Sequence, residues 1–247
     1  MTKNIKAAIL VIGNEILSGR IQDKNVSFIA QRLAKLGIVL SEVRIVPDIK
    51  EKISKAILDL KSENNYVFTT GGIGPTHDDI TSESIAYSLN LELEINQIAY
   101  EMIKQYYESR GDKLNDARTK MAIMPKGAEL INNDFTKAPG FKIENIFVLA
   151  GIPEIMQNMF GYLEQYLEKG ESIESSSLKI FTGESQIADI LEKIQNSYQE
   201  IDIGSYPFKS DEKHATEIVF KGRDLEKIEK AKAELEEYLS KNNYIFQ

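Results

Sequence analysis

The sequence predicts an α/β protein: a three-layer domain built on a parallel sheet, followed by a small α+β module. Over the first ninety residues, short apolar runs alternate with segments of helical periodicity, a β-α-β-α-β-α order typical of parallel sheets with helices on both faces. A polar, serine-rich stretch at 168–177 then interrupts the pattern. A β-α-β-β-α pattern follows, so we expect domains at 1–170 and 171–247.

The elements of the first domain follow from apolar spacing and turn residues. Residues 7–12 form an apolar run of the kind found in strands buried on both faces. In helix 25–36 the apolar residues recur at helical spacing, and Gly37 follows where a helix ends. The further elements predicted in this domain are strand 39–46, helix 49–60, strand 66–70, a helix capped by Asp79 or Thr81, helix 97–110, strand 146–150 and helix 154–167.

The second module is predicted from shorter elements. Its strands and helices are expected at 178–182, 186–198, 201–208, 215–221 and 225–239, in the order strand, helix, strand, strand, helix. The last helix carries a charged face and an apolar face, which is typical of a helix lying on a sheet.

Composition narrows the functional class. The chain has 247 residues, a formal net charge of −8 and no cysteine, which excludes disulfides, thiolate nucleophiles and cysteine-bound metals. No apolar run reaches the length of a membrane span, so we expect a cytoplasmic protein without a membrane partner. An acidic chain also binds nucleic acid poorly, and no nucleic-acid partner is expected.

A glycine-rich loop is the strongest chemical signal. Strand 66–70 runs directly into Gly71-Gly72-Ile73-Gly74-Pro75-Thr76, at the end of a parallel strand where ligands bind in such sheets. Glycines let backbone N–H groups approach an anion, and a following helix N-terminus favours negative charge. The loop lacks the residues of a Walker A or a dinucleotide motif. It indicates phosphate binding, with a tight turn before a capped helix as the structural alternative.

Two aspartates stand beside this loop. Asp78 and Asp79 would repel a phosphate unless a divalent cation lies between them, and Mg²⁺ commonly combines one or two carboxylates with phosphate oxygens and water. Alternatively, one aspartate caps the helix and the other is solvated; we expect one at the site and one at the cap. His77 is interpreted as a loop residue. The other strand ends bring Glu15, Asp48 and Glu154 to the same rim.

Several ordered motifs resemble a known family. They are Gly13-Asn14-Glu15-Ile16-Leu17-Ser18-Gly19 with Asn25, the segment 70–81, Lys120, Met124-Pro125, Gly127-Ala128, Ala138-Pro139-Gly140-Phe141 and Gly151-Ile152-Pro153-Glu154-Ile155-Met156. Together they are similar to the N-terminal domain of the competence/damage-inducible protein CinA, a member of the MoaB/Mog molybdopterin-binding superfamily. A related domain precedes the synthase part of eukaryotic FAD synthase. The second module resembles the KH-like domain of CinA relatives, but residues 178–247 contain no Gly-x-x-Gly loop for nucleic acid. The CinA deamidase domain would lie beyond residue 247, so that activity is not expected.

The resemblance implies a metal-dependent pyrophosphatase acting on a nucleotide diphosphate such as ADP-ribose or FAD. Mg²⁺ or another divalent cation, with or without K⁺, would be held by Asp48 and Asp79, and Lys120 would offset developing charge. The ligand-binding residues would be Gly13, Glu15, Ser18, Asn25, Gly71, Gly72, Gly74, Pro75, Thr76, Asp78, Thr81, Gly140, Gly151, Pro153 and Glu154. The alternative is a molybdopterin-binding protein without catalysis. A homodimer is expected. The chain departs from the family pattern at Thr136-Lys137, Met121 and Ile49, so the resemblance does not identify the substrate.

Overall fold

The computed structural model describes residues 5–171, 173–210 and 213–247. The described chain divides after Gly170 into two compact units, each with a hydrophobic core of its own. The first unit contains strands β1 (Lys6–Ile12), β2 (Val39–Val46), β3 (Tyr66–Thr70), β4 (Leu93–Ile95), β5 (Ile123–Pro125), β6 (Glu129–Ile131), β7 (Gly140–Ile143) and β8 (Ile146–Leu149). Its helices are α1 (Asn14–Leu17), α2 (Asn25–Lys35), α3 (Lys50–Glu63), α4 (Thr81–Leu89), α5 (Gln97–Glu108), α6 (Asp116–Lys120) and α7 (Pro153–Leu163), the last continued by a 3₁₀ turn, Glu164–Tyr166.

The sheet of the first unit is mostly parallel. Its strand order is β2-β1-β3-β8-β7-β6, and β2, β1, β3 and β8 are parallel to one another. Strands β7 and β6 then continue it in antiparallel fashion, and β4 and β5 form a separate antiparallel pair. The predicted α/β class is confirmed. No strand was predicted at the positions of β4, β5, β6 and β7.

Helices cover both faces of this sheet. Alternate residues of β1 point to opposite sides: Ile9 and Val11 join the core under α2 and α7, and Leu10 and Ile12 join the core under α3, α4 and α5. Phe68 and Phe147 stack at a centroid distance of 5.3 Å within the first of these cores. The result is the predicted three-layer arrangement.

The strand order opens a crevice at one edge of the sheet. Strand β1 lies between β2 and β3, so the chain leaves β1 toward one side through α2 and later crosses to its other side through α3. Because α2, which follows β1, and α4, which follows β3, cover opposite faces, the loops after β1 and β3 separate at the carboxyl ends of these strands. Such a topological switch point is where open α/β sheets bind ligands.

The second unit is the expected small α+β module. It contains β9 (Glu174–Ile180), a 3₁₀ turn (Glu184–Gln186), α8 (Ala188–Ser197), β10 (Asp202–Ser210), β11 (Lys213–Gly222) and α9 (Leu225–Lys241). Its antiparallel sheet has the order β10-β11-β9, and the apolar sides of both helices pack with Ile218 and Phe220 of β11.

The predicted linker at 168–177 is partly wrong. Strand β9 begins at Glu174, and Ser176 pairs with Phe220 of β11. Because alternate residues of this part of β9 face solvent, serines are tolerated in it, and their polarity suggested a linker. Among the described residues, no helix combines the length and the apolar character that crossing a membrane requires.

Candidate functional site

A cavity of about 520 Å³, called the main cavity below, lies at the crevice of the first unit. The loop after β1, the first turn of α2, the glycine loop and the start of α7 line it, and Tyr107 and Met121 contribute from the α5–α6 region. This volume falls within the range of small-molecule sites. The predicted site residues that line the cavity are Glu15, Asn25, Gly71, Gly72, Gly74, Pro75, Asp79, Gly151 and Pro153.

Close packing explains the first two glycines of the loop. Gly71 has φ +99°, and a Cβ there would lie 2.2 Å from the Ile12 carbonyl oxygen. Gly72 has φ +68°, and a Cβ there would lie 2.2 Å from Thr81 Oγ1. Side chains are excluded by both backbone conformation and space, so glycine is the residue that fits.

The glycine loop presents free N–H groups. The Gly71 N–H donates to the Leu149 carbonyl at 3.2 Å, but within the described structure the N–H groups of Gly72, Ile73 and Gly74 donate to no protein acceptor. Thr81 holds the loop from behind, because its hydroxyl donates to the Gly71 carbonyl at 2.9 Å and its N–H donates to the Gly72 carbonyl at 3.0 Å. Consecutive free amides at a concave surface form an anion-binding arrangement.

A helix N-terminus lines the same cavity, but it is not the helix that the sequence suggested. Helix α7 begins at Pro153 without a side-chain cap, and Gly151 lies so close to the loop that a Cβ would be 3.3 Å from Gly71 Cα. Helix α4, which follows the glycine loop, contributes Ser82 and Glu83 to a smaller neighbouring cavity of about 150 Å³ instead. At the main cavity, the helix dipole that favours an anion is therefore that of α7 rather than that of α4.

Asn25 brings an unpaired acceptor to the cavity. The residue is 3% exposed, and its Nδ2 donates to the Gly151 carbonyl at 2.8 Å. This bond links α2 to the start of α7 and leaves Oδ1 buried without a hydrogen-bond donor. Leaving a buried acceptor unsatisfied costs about 1–3 kcal/mol. A ligand with an N–H or O–H group at this position would remove that cost.

The predicted helix cap at Asp79 or Thr81 is wrong. Helix α4 has Ile80 at its N-cap, and no side chain bonds to its first turn. The Asp79 carboxylate instead accepts the Thr76 N–H at 2.8 Å and the Thr76 hydroxyl, which closes the turn before the helix. Local backbone N–H groups thus compete successfully with the helix for this side chain. Asp79 lies at the boundary of the main and the smaller cavity.

Asp78 and Lys120 are arranged around the same turn. The pKa of the Asp78 carboxyl is lowered, first by the Thr76 hydroxyl and to a smaller extent by the charges of His77 and Lys120. The Lys120 ammonium donates to the Thr76 carbonyl and lines the smaller cavity with Asp79. His77 has an almost fully exposed side chain, in keeping with its interpretation as a loop residue.

The acidic residues predicted at this edge of the sheet differ in whether they line the cavity. Glu15 lines the main cavity, with its carboxylate against Gly13, where a Cβ would lie 2.5 Å from Oε1. Asp48 does not line the cavity; its Oδ2 accepts the Asn14 N–H at 2.9 Å. Over the part of the chain that the structure describes, no three histidine or acidic side chains group closely enough for a metal site. The two predicted metal ligands, Asp48 and Asp79, therefore differ in their access to the cavity.

Three further predicted residues lie outside the cavity. Ser18 is exposed, and its hydroxyl donates to the Glu15 carbonyl at 3.2 Å. Glu154 is an exposed residue in the first turn of α7. Gly140 is buried in β7, where a Cβ would lie 2.3 Å from the Val148 carbonyl oxygen, so close strand packing accounts for this glycine.

Sequence reasoning missed one wall of the cavity. Asn133 is 1% exposed, and its side chain donates to Thr136 Oγ1 at 2.6 Å and to the Ala138 carbonyl at 3.0 Å, which folds the loop that lines the cavity. Asn133 precedes the Ala138-Pro139-Gly140 motif, and its position near that motif could have identified it as a candidate from the sequence. Tyr107 and Met121 gave no such signal, because only tertiary contact brings them to the cavity.

Comparisons with known proteins agree with this architecture. Residues 8–169 match the family model described as "Probable molybdopterin binding domain", and residues 172–247 match "FAD synthase, middle domain". A protein from Archaeoglobus fulgidus is 35% identical over 94% of this chain and 97% of its own length. One from Sulfurisphaera tokodaii is 37% identical over 94% of both chains.

A solved structure supports the same assignment. The structure of CinA from Thermoplasma acidophilum, described as a protein with unknown function, matches 66% of this chain and 99% of its own, with 30% identity and a TM-score of 0.62. The resemblance inferred from the sequence motifs is confirmed. The chain belongs to the family of probable molybdopterin binding domains of the CinA and MoaB/Mog type, here followed by a FAD synthase middle domain.

Proposed function

We propose that the first unit binds a phosphorylated nucleotide or pterin, with its phosphate on the glycine loop, and that it hydrolyses a nucleotide pyrophosphate bond with a divalent cation. The main support for this proposal is that the N–H groups of Gly72, Ile73 and Gly74 have no acceptor within the described protein and lie beside the N-terminus of α7. Unpaired amides and a helix dipole directed at one cavity favour an anionic group over a neutral one.

The rest of the cavity supports an organic ligand rather than free phosphate. Apolar side chains, among them Ile21, Ile155 and Met159, form much of its wall. The unpaired Oδ1 of Asn25 favours a ligand that carries an N–H or O–H group. A nucleotide or a pterin phosphate combines all three features: an anionic end, an apolar ring and hydrogen-bond donors.

The donor set fits a divalent cation at Asp79 better than at Asp48. Asp79 and Glu15 both line the cavity, whereas Asp48 is bonded to the backbone of Asn14 outside it. A bound Mg²⁺ would supply Lewis-acid polarisation of the phosphate and a more acidic water. Asp79 would hold the cation beside the glycine loop, and Glu15 would be the second carboxylate.

The protein groups have separate tasks in the proposed hydrolysis. The loop amides would fix the phosphate and take up charge that develops on its oxygens. Lys120, tied to the Thr76 carbonyl next to Asp79, would add a positive charge from the side of the smaller cavity. The apolar wall would exclude bulk water from the opposite side, which strengthens these electrostatic interactions.

Binding is tested by calorimetric titration of ADP-ribose, FAD and molybdopterin. The test variant is Gly74→Ala, because its Cβ would lie 2.7 Å from Asp79 Oδ2 while its backbone does not have positive φ. The variant should fold and bind more weakly. Gly183→Ala is the control, since a Cβ there meets no atom within 4 Å. Unchanged affinity in Gly74→Ala would remove the glycine loop from the site.

Hydrolysis is tested with the same nucleotides and Mg²⁺, Mn²⁺ or Co²⁺, by following phosphate-bond cleavage. Asp79→Asn keeps an acceptor for the Thr76 N–H but loses the charge, so the turn should persist and cleavage should be abolished. Asp189→Asn, an exposed aspartate of the second unit, is the matched control. Cleavage that survives in Asp79→Asn would exclude the proposed role. Pterin binding with no cleavage of any nucleotide would favour the alternative, a molybdopterin-binding protein without catalysis.

A further inference from the structure

Tyr107 is an aromatic residue at the cavity for which the proposed function gives no role. It is half-buried near the end of α5 and lines the cavity with Met121. The guanidinium of Arg118 lies over its ring, 3.8 Å from the centroid. The ring of Tyr106 meets it edge to face at a centroid distance of 5.3 Å. The orientation of the Tyr107 ring is thus fixed on two sides, and only its remaining surface can receive a ligand.

Arg118 is itself held in place. Its Nη1 donates to the Lys113 carbonyl at 2.6 Å, and its Nη2 donates to Asp112 Oδ2 at 3.1 Å. Its backbone N–H donates to Asn115 Oδ1 at 2.9 Å, which caps α6. The backbone N–H of Asp112 donates in turn to the Tyr107 carbonyl at 3.0 Å. These bonds make α5, the following turn and α6 one support behind the ring.

We propose that Tyr107 is the stacking surface for the aromatic ring of the ligand, and that Arg118 is the positioning residue that holds it. The inference rests on the proposed function and narrows its substrate class to phosphates that carry a planar ring, such as an adenine, flavin or pterin. A tyrosine ring that lines the cavity together with methionine and isoleucine side chains favours a flat aromatic group. A sugar phosphate without an aromatic ring would bind the glycine loop but would not contact Tyr107 by stacking.

Two probes separate ring recognition from phosphate recognition. ADP-ribose carries an adenine, and ribose 5-phosphate does not. Tyr107→Leu should weaken ADP-ribose binding roughly fivefold to 150-fold, the range that corresponds to base stacking on an aromatic side chain. The same variant should bind ribose 5-phosphate as the unaltered chain does. Tyr107→Phe keeps the ring and should keep the affinity for ADP-ribose.

Matched variants exclude an indirect effect. Tyr87→Leu removes a tyrosine of the same unit that is 62% exposed, lies under Lys50 and does not line the cavity, so it should change neither affinity. Arg118→Gln leaves Tyr107 in place but removes its support; it should lower the affinity for ADP-ribose relative to that for ribose 5-phosphate. A purely structural role would change both affinities together, and circular dichroism verifies that each variant is folded.

The outcomes are distinct. If Tyr107→Leu and Arg118→Gln bind both probes as tightly as the unaltered chain, or lose both equally, the stacking role is wrong while the phosphate site stands. If Tyr107→Leu does not fold, the test uses Arg118→Gln: a lower ratio of ADP-ribose affinity to ribose 5-phosphate affinity supports the stacking role, and an unchanged ratio contradicts it. If the unaltered chain binds neither probe, the proposed function falls and the stacking role falls with it.

Discussion

Replacing Gly71 with alanine should destabilise the first unit strongly, and two other glycines allow the causes to be separated. Gly71 combines φ +99° with a Cβ position 2.2 Å from the Ile12 carbonyl oxygen. Gly127 has φ +85° but open space around its Cβ position. Gly161, in α7, has neither problem. The three substitutions are chemically identical, so their differences isolate backbone conformation and steric contact.

The magnitudes follow from these environments. Forcing alanine into a left-handed conformation costs roughly 1–2 kcal/mol. Stiffening the unfolded chain returns about 0.4–1 kcal/mol, so Gly127→Ala should be mildly destabilising. At Gly71 the contact with a carbonyl oxygen adds overpacking of roughly 1–3 kcal/mol, for a net total of roughly 1–5 kcal/mol after the same return from the unfolded chain. Gly161→Ala should stabilise the helix by roughly 0.5–1 kcal/mol.

Differential scanning calorimetry measures all three variants on one transition, because the three glycines belong to the first unit. For a domain of this size, 1 kcal/mol corresponds to roughly 2–4 °C in Tm. From the highest Tm to the lowest, the expected order is Gly161→Ala, the unaltered chain, Gly127→Ala and Gly71→Ala. Equal Tm values for Gly71→Ala and Gly127→Ala would refute the reasoning, since the contact with Ile12 would then cost nothing.

Three further changes test other parts of the structure. Asn25→Leu removes a buried unpaired acceptor but also removes the bond from Nδ2 to the Gly151 carbonyl. Because these two effects oppose each other, the free energy of unfolding in urea should stay within about 1 kcal/mol of that of the unaltered chain while ADP-ribose affinity falls; unchanged affinity in a titration would contradict this. The pKa of Asp134 is lowered, first by the Tyr162 hydroxyl and then by Lys137 and Asn158. Its carboxylate therefore stabilises the folded state fully above the ordinary aspartate pKa of 3.8, and this contribution is lost as the pH falls below that value. The urea midpoint of Asp134→Asn should be lower at pH 7 and approach that of the unaltered chain toward pH 2; a constant gap would exclude the carboxylate as its cause. Phe220→Ala should destabilise the second unit by about 3–5 kcal/mol, seen as faster amide hydrogen exchange in β11, and unchanged exchange there would argue against its core role.

Periodicity predicted the long elements of the first unit well. Strands β1 and β3 and helices α2 and α3 lie within a few residues of their predicted positions, because each has enough apolar positions to define its period. Strands β6 and β7 have three and four residues, too few to define a period; β7 forms by pairing with β8, and β6 forms by pairing with β7. Short edge elements of this kind depend on tertiary contact rather than on local sequence.

The sequence predicted the edge of the sheet at which the cavity lies, but not which acidic residues line that cavity. Glycines and strand ends identify the carboxyl edge, because the chain must turn there. Whether Glu15 or Asp48 reaches the cavity depends on a local backbone bond: the Asn14 N–H holds Asp48 outside. Helix α7 rather than α4 begins at the main cavity, because Thr81, the first residue of α4, bonds to the carbonyls of Gly71 and Gly72 from behind the loop while the next residues of α4 line the smaller cavity. Such competition between neighbouring hydrogen bonds is not encoded in residue spacing.

The groups proposed to bind an anion at residues 72–74 belong to the main chain, and this has a consequence for how substrate choice could diverge. A backbone N–H is present whatever residue carries it, so mutation of surrounding side chains leaves that recognition intact. The side chains opposite, such as Thr136 and Tyr107, can vary without dismantling it. A scaffold of this design can exchange one phosphorylated metabolite for another by altering a few wall positions, while its folding determinants stay unchanged.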